Sequence, residues 1–391
     1  PEDFMVEELP LFRPSGRGEH TIVQVEKRAA PTLDVLLFLS KQVKISERRI
    51  GYAGLKDARA VARQYLSLPK IAPERVLGLR HRRFRVLSAA RHEVGLKIGH
   101  LRGNRFTIRI RDCDLGQLPK ARKVLERLVA RGVPNAYGIQ RFGTRQDGHL
   151  VGRSVLHGDW QGFVDQLLGR PSPLEKNPVI VEARTAYDEG RLDEARSLFP
   201  RKHRAEKRAL GVLARGGTPA SAYEAIPPAQ RRIWLSAWQS YLFNHVLDAR
   251  VRDGTYDQLL PGDVAHLESC GAAYLVTDPD ADAARAARGE ASATGPLIGY
   301  DMRFPEGAPG ALEHAVMAAQ DTTPEQFLEG ASRARGARRP LRILLREASL
   351  TEEPDGTVLA RFVLPSGAFA TVILDHLMRS PDQPCGVPSV E

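Results

Sequence analysis

The stretch Gly51-Tyr52-Ala53-Gly54-Leu55-Lys56-Asp57 joins a helix-like segment to a strand-like one. Its two glycines, three apart, permit a tight backbone. A lysine and an aspartate then stand side by side at the end of an apolar run. Ala62 to Leu68 reads as a strand closed by Pro69. A carboxylate on a glycine-flanked loop beside a strand, with Lys56 and Arg63 near it in sequence, is a candidate reactive centre. The competing reading is an ordinary turn with an exposed Lys-Asp pair, because aspartate is a common turn former.

Toward the N-terminus, Pro1 to Val6 reads as a strand entered through a turn, and Thr21 to Glu26 alternates as a half-buried strand. Thr32 is placed to cap a helix with Leu33, Leu36, Leu37 and Ser40 on one face. Toward the C-terminus, the lysines and arginines from Arg80 to Arg111 are opposed by Glu93 alone. Within that run Phe106, Ile108 and Ile110 share one strand face, while Arg105, Arg109, Arg111 and Thr107 share the other. A row of arginines on a sheet face suits phosphates; the plainer alternative is a solvated face.

Leu118 to Val129 is an amphipathic helix ended by Gly132. The aperiodic stretch Gly132 to Gly143 collects amide, aromatic and arginine groups, a mixture suited to reading and stacking an unpaired base. From about Val155 the chain becomes helical in texture, with a basic segment over 201–215 and a helix over 233–246 that is apolar all round and therefore buried. Trp234, Trp238 and Tyr241 in it read as core. The stretch 281–295 is expected to be a mobile loop. Strand signals return over 341–345, 358–364 and 369–374, with Asp355-Gly356 as a hairpin turn between the first two. Strands at both ends around a helical middle predict an α+β chain with one domain inserted into another.

The 391 residues carry a formal net charge of +10 and a pI of about 9.7. That balance points to a nucleic acid or another anionic surface as partner. No apolar run is long enough to span a bilayer. Cys113, Cys270 and Cys385 lie far apart without zinc spacing, so no metal is expected and a reduced cytoplasm is the simplest setting. A chain that opens on Pro1 is expected to be processed or part of a longer one. No P-loop, strand-linked Gly-x-Gly-x-x-Gly, metal-spaced histidine pair or Gly-x-Ser-x-Gly occurs. What remains is a carboxylate, cations and aromatics. Reactions at a glycosidic carbon run on carboxylates, and a nucleobase target has to be flipped out of its stack.

Eight stretches carry a resemblance: Pro1-Glu2-Asp3-Phe4, the opening motif through Asp57, Gly99 to Phe106, Gly132-Val133-Pro134-Asn135, Gln140-Arg141-Phe142-Gly143, Trp234 to Asn244, Thr294 to Tyr300, and Pro365 to Thr371. In this order, over nearly the whole chain, they resemble the TruD family of tRNA pseudouridine synthases. The resemblance implies a V-shaped α+β enzyme with a cleft. A mixed-sheet pseudouridine synthase catalytic domain would span 1–155 and 341–391, with a mostly helical α/β TRUD domain inserted over 156–340. The implied activity is an isomerase (an intramolecular transferase) that converts a tRNA uridine, position 13 in the D-stem region, to pseudouridine without a cofactor.

Asp57 matches the catalytic aspartate. Phe4, Asn135 and Phe369 match positions that contact the target nucleotide, and Tyr137 stands where the family often has phenylalanine. Lys56 or Arg63 is the expected cation beside Asp57, and Arg105, Arg109 and Arg141 are candidate phosphate contacts. The expected partner is tRNA, with no membrane and no obligate protein partner, and the expected state is a monomer. A non-catalytic RNA-binding protein and a base-excising glycosidase are the competing classes.

Overall fold

The computed structural model describes residues 1–368 and 370–378. The described residues divide into two compact units, one made of residues 1–133 with 343–378, the other of residues 134–342.

The first unit is built on a nine-stranded mixed sheet. Its strands run in the spatial order Arg346–Glu352, Val358–Leu364, Leu101–Ile110, Phe4–Pro10, Val61–Pro69, His20–Arg28, Phe84–His92 and Arg80–His81, with Gly51–Tyr52 pairing on Val61–Pro69. Phe4–Pro10 and Val61–Pro69 pair in parallel, in the register Met5 to Val61. The other pairings are antiparallel. The helices Leu118–Arg131 and Ala370–Met378 cover a core that includes Val6, Phe106, Ile108 and Phe362. The helix Thr32–Val43 packs with Val23, Val25, Leu66 and Leu68.

Several local expectations are corrected here. Thr32 opens its helix, but Pro31 stands at the cap, and the Thr32 hydroxyl is engaged elsewhere. The buried face of that helix is Thr32, Val35, Leu36, Leu39 and Val43, whereas Leu33 and Leu37 are exposed. The hairpin at Asp355-Gly356 joins Val358–Leu364 to Arg346–Glu352 instead of to 341–345. The segment after Ala370 is a helix, not a strand. Ala370, Ile373 and Leu377 are buried at helical spacing against the core, which overrides the strand preference of Val372 and Ile373.

The second unit is centred on the helix Pro228–Arg252, in which every residue from Ala237 to Asn244 is buried. Trp238 and Tyr241 are core, as read from the sequence. The helix Gly148–Leu156 crosses it at Gly152, where a Cβ would stand 2.1 Å from the Trp234 carbonyl oxygen. Only glycine fits that approach. A four-stranded sheet runs Ala273–Leu275, Val264–Leu267, Ala291–Leu297, Ala337–Pro340. The expected loop over 281–295 is instead ordered structure. Asp278 caps the helix Pro279–Ala287 by accepting from the Asp280 and Ala281 amides, and the small residues that follow form the strand Ala291–Leu297, which pairs on both edges.

Candidate active site

Asp57 lies on the loop between Gly51–Tyr52 and Val61–Pro69, and its side chain is exposed. The short strand that enters this loop is fixed by pairing, Gly51 with Ser67 and Tyr52 with Leu66. Of the motif's two glycines, Gly51 is the one the fold requires. A Cβ there would stand 2.3 Å from the Leu96 carbonyl oxygen, whereas the position of Gly54 is open.

Beneath the exposed carboxylate lies a buried polar network. Lys56 Nζ is 2.7 Å from Glu8 Oε2, with both side chains buried. Burial pushes the Glu8 carboxyl up, and the adjacent Lys56 ammonium works against that. The Lys56 amide donates to Thr32 Oγ1 at 3.0 Å, and that hydroxyl donates to Gln64 Oε1 at 2.9 Å. Glu8 Oε1 also accepts from the Tyr65 amide at 3.2 Å. Residues from two parallel strands and a helix start thus grip the backbone just before Asp57.

Neither cation expected beside Asp57 pairs with it. Lys56 is taken by Glu8, and Arg63 Nε lies 3.0 Å from Glu26 Oε2. The group that does face the loop is Lys27, which the sequence reading passed over. It is fully buried, and its ammonium donates to the carbonyls of Ala30 at 2.7 Å, Lys56 at 3.2 Å and Asp57 at 2.5 Å. Burial lowers its pKa to about 8; the Asp57 charge opposes the shift and the Lys56 charge adds to it. A signal was present in the sequence. Thr21, Val23, Val25 and Lys27 fall on one strand face, so the apolar alternation runs directly into a lysine.

Phe4 begins its strand one residue before the Met5–Val61 pair, at the end of the sheet where the Asp57 loop rejoins it. It is half-buried and meets Phe106 edge-on at 6.0 Å. The arginine face of Leu101–Ile110 carries acids. Arg105 pairs with Glu7 and Glu347, Arg109 with Asp355, and Arg111 with Asp3. Phe369 lies outside the described residues.

Asn135, Tyr137 and Arg141 belong to the second unit and cluster there. The Asn135 amide is committed to the protein: Nδ2 donates to the Pro340 carbonyl at 2.7 Å, and Oδ1 accepts from Arg339. Asn244 clamps the Tyr137 backbone by accepting from its amide at 2.8 Å and donating to its carbonyl at 2.9 Å. The Tyr137 ring meets Phe243 edge-on at 5.6 Å. Two guanidinium groups stand over it, Arg339 at 4.2 Å from the ring centre and Arg141 at 5.5 Å. Arg339 was not read from the sequence as a site residue, because it is one of six arginines from Arg333 to Arg346, and sequence gives no means of separating the paired from the unpaired among them.

The fold is that of a pseudouridine synthase. It matches the crystal structure of a putative tRNA pseudouridine synthase D (TruD) from Methanosarcina mazei with a TM-score of 0.82 and 27% identity, over 96% of this chain and 92% of that one. A family model described as tRNA pseudouridine synthase D (TruD) matches residues 1–377. Proteins named tRNA pseudouridine synthase D from Geobacter metallireducens and Thermus thermophilus are 44% and 35% identical, each over 97% of this chain and over 93% and 87% of the relatives. The chain belongs to the TruD family.

Proposed function

We propose that the protein isomerises uridine to pseudouridine in tRNA, at position 13 in the D-stem region, with Asp57 as the catalytic carboxylate. The observation that supports this reading best is the contrast at Asp57, where an exposed carboxylate sits on a backbone held by a buried network of Glu8, Lys56, Thr32, Gln64 and Lys27. Such a group is reachable by a flipped base and fixed in place before the base arrives. Lys27 is the cation that faces the Asp57 loop, the place first expected of Lys56 or Arg63.

In this reading Asp57 promotes cleavage of the N-glycosidic bond, and the freed uracil turns and rejoins the same ribose through C5. No atom is gained or lost, so no cofactor is consumed. Phe4 and Phe369 hold the target nucleotide, and Asn135 and Tyr137 shape its surroundings. The catalytic domain is discontinuous, formed by both ends of the chain around the inserted TRUD domain. The enzyme acts as a monomer in the cytoplasm. Affinity for tRNA falls steeply with salt, as the charge of +10 requires.

The test is incubation with an unmodified tRNA transcript followed by chemical mapping of pseudouridine. Asp57→Asn is expected to cut turnover by at least about a thousandfold while leaving folding and tRNA affinity nearly unchanged. A variant with near-normal turnover would sink the assignment. Loss of mass from the RNA would instead reveal base excision.

A further inference from the structure

Adjacent arginines in the strand Ala337–Pro340 are treated in opposite ways. The Arg338 side chain is 8% exposed and bonded nearly to capacity. Nη1 and Nη2 lie 2.8 and 2.7 Å from the two oxygens of Glu313, and Nε and Nη2 also donate to the Thr294 hydroxyl and carbonyl at 3.0 and 2.6 Å. Arg339 points the other way and pairs with no described carboxylate. It donates from Nε to the Asn135 carbonyl at 3.3 Å and from Nη2 to the Asn135 side-chain oxygen. Its only other described side-chain partner is the neutral Tyr137, and its Nη1 is not among the buried unpartnered atoms.

Arg141 repeats the pattern. Nε donates to Ser240 Oγ at 2.9 Å and Nη2 to Ser236 Oγ, both neutral hydroxyls, and Nη1 is again not among the buried unpartnered atoms. A guanidinium has five N–H donors in a fixed fork, so each of these two keeps donors that no described carboxylate takes. Both stand over the ring of Tyr137; burial disfavours the Arg339 cation most, the Tyr137 side chain works against that, and the charge of Arg141 adds to it. Two like charges held over one aromatic ring with no acid between them repel each other. A protein that needed only packing there would gain by an apolar pair or a counter-charge, as it has at Arg338. The arrangement is complete once an anion with several acceptor oxygens bridges the two forks.

We propose that Arg339 and Arg141, seated on Tyr137, form a binding site for a phosphodiester of the RNA backbone. The site rests on the reading of tRNA as substrate and adds Arg339 to it. It also changes the part assigned to Tyr137. With guanidinium groups over its ring, the tyrosine serves as a platform for the arginines in addition to any contact with the target nucleotide.

The test measures binding of an unmodified tRNA transcript to the full chain over a range of salt. Arg339→Met and Arg141→Met are each expected to weaken binding at low salt by roughly tenfold. Each should also reduce the slope of log affinity against log salt by about one, and both together by about two. Arg339→Lys is expected to recover the slope but only part of the affinity, since it keeps the charge and loses the fork. An unchanged slope in the double variant overturns the site. If the methionine variants fail to fold, the wild type compared with Arg339→Lys decides the matter. Neutral methylphosphonate linkages are placed one at a time along the tRNA, and one of them must weaken wild-type binding by clearly more than it weakens binding by Arg339→Lys, which has the charge but not the fork to lose. If every linkage acts equally on both proteins, the proposal fails. Pseudouridine formation scored separately by mapping tells failure of this site from failure of the proposed activity, since an active enzyme with an unaltered slope rejects only the site.

Discussion

The loop that bears Asp57 and the cluster around Tyr137 handle buried charge by opposite rules. Under Asp57 each cation has its acceptors: Lys56 has Glu8, and Lys27 has three carbonyls. Around Tyr137 two arginines meet only neutral groups and retain donors that no described carboxylate takes. A network whose cations are all matched makes a rigid support, even with Gln64 Nε2 left unpartnered in it, because any movement breaks bonds that water cannot replace. An unsatisfied one has interaction energy left for a ligand. The two regions lie in separate units of the chain, and the difference in their charge balance is the physical distinction between holding a reacting group and gripping a substrate.

The largest effect that tests this comparison is on stability. Glu8→Leu leaves the Lys56 ammonium buried and alone, and is expected to cost about 3–5 kcal/mol in denaturant titration. Adding Lys56→Met should recover most of that loss, because an apolar pair replaces an ion pair at little net cost. Arg339→Met, by contrast, should cost no more than about 1–2 kcal/mol, the scale of a desolvated cation–π contact. Equal losses from Glu8→Leu and Arg339→Met would erase the distinction between the regions.

A second effect concerns pH. In the folded chain the Lys27 ammonium gives up its proton near pH 8, against 10.5 as its ordinary value. Between those values the unfolded chain binds the proton more tightly, so stability from this group rises with pH across that window and its burial is a cost below it. Turnover should move the other way and decline above pH 8, as the charge facing Asp57 is lost. The charged groups that bear on Lys27 are Asp57 and Lys56, and its strand neighbours, Ala62 and Phe84, carry no charge. Lys27→Arg should push the alkaline decline in turnover upward, and Lys27→Met should abolish the stability slope. A wild-type profile flat to pH 10 would remove Lys27 from the reading.

The smallest effect is expected at Arg63. It pairs with Glu26 and is partly exposed, so Arg63→Gln should change stability by no more than about 1 kcal/mol and turnover only a few-fold. A loss comparable to that of Asp57→Asn would return Arg63 to the site.

Local sequence determined a good deal of this protein. Alternation located the strands around Val23, Leu66 and Phe106, and all-round apolarity located the buried centre of Pro228–Arg252. Eight ordered motifs pointed to the family. These signals are legible because side-chain period and turn chemistry are properties of neighbouring residues. The segment after Ala370 shows the limit: its β-branched residues prefer strand, and only packing against a distant core made it a helix.

What tertiary structure alone decided is which charge meets which. Lys56 lies beside Asp57 in the chain yet turns away to Glu8, while Lys27, 30 residues earlier, reaches the Asp57 carbonyl. Arg339 finds Asn135 across 204 residues, and its neighbour Arg338 finds Glu313 on the opposite side of the same strand. In the sequence these lysines and arginines are equivalent cations. They become support or binding group through the desolvation and the partners that folding assigns, and both depend on contacts far beyond the span of any local motif.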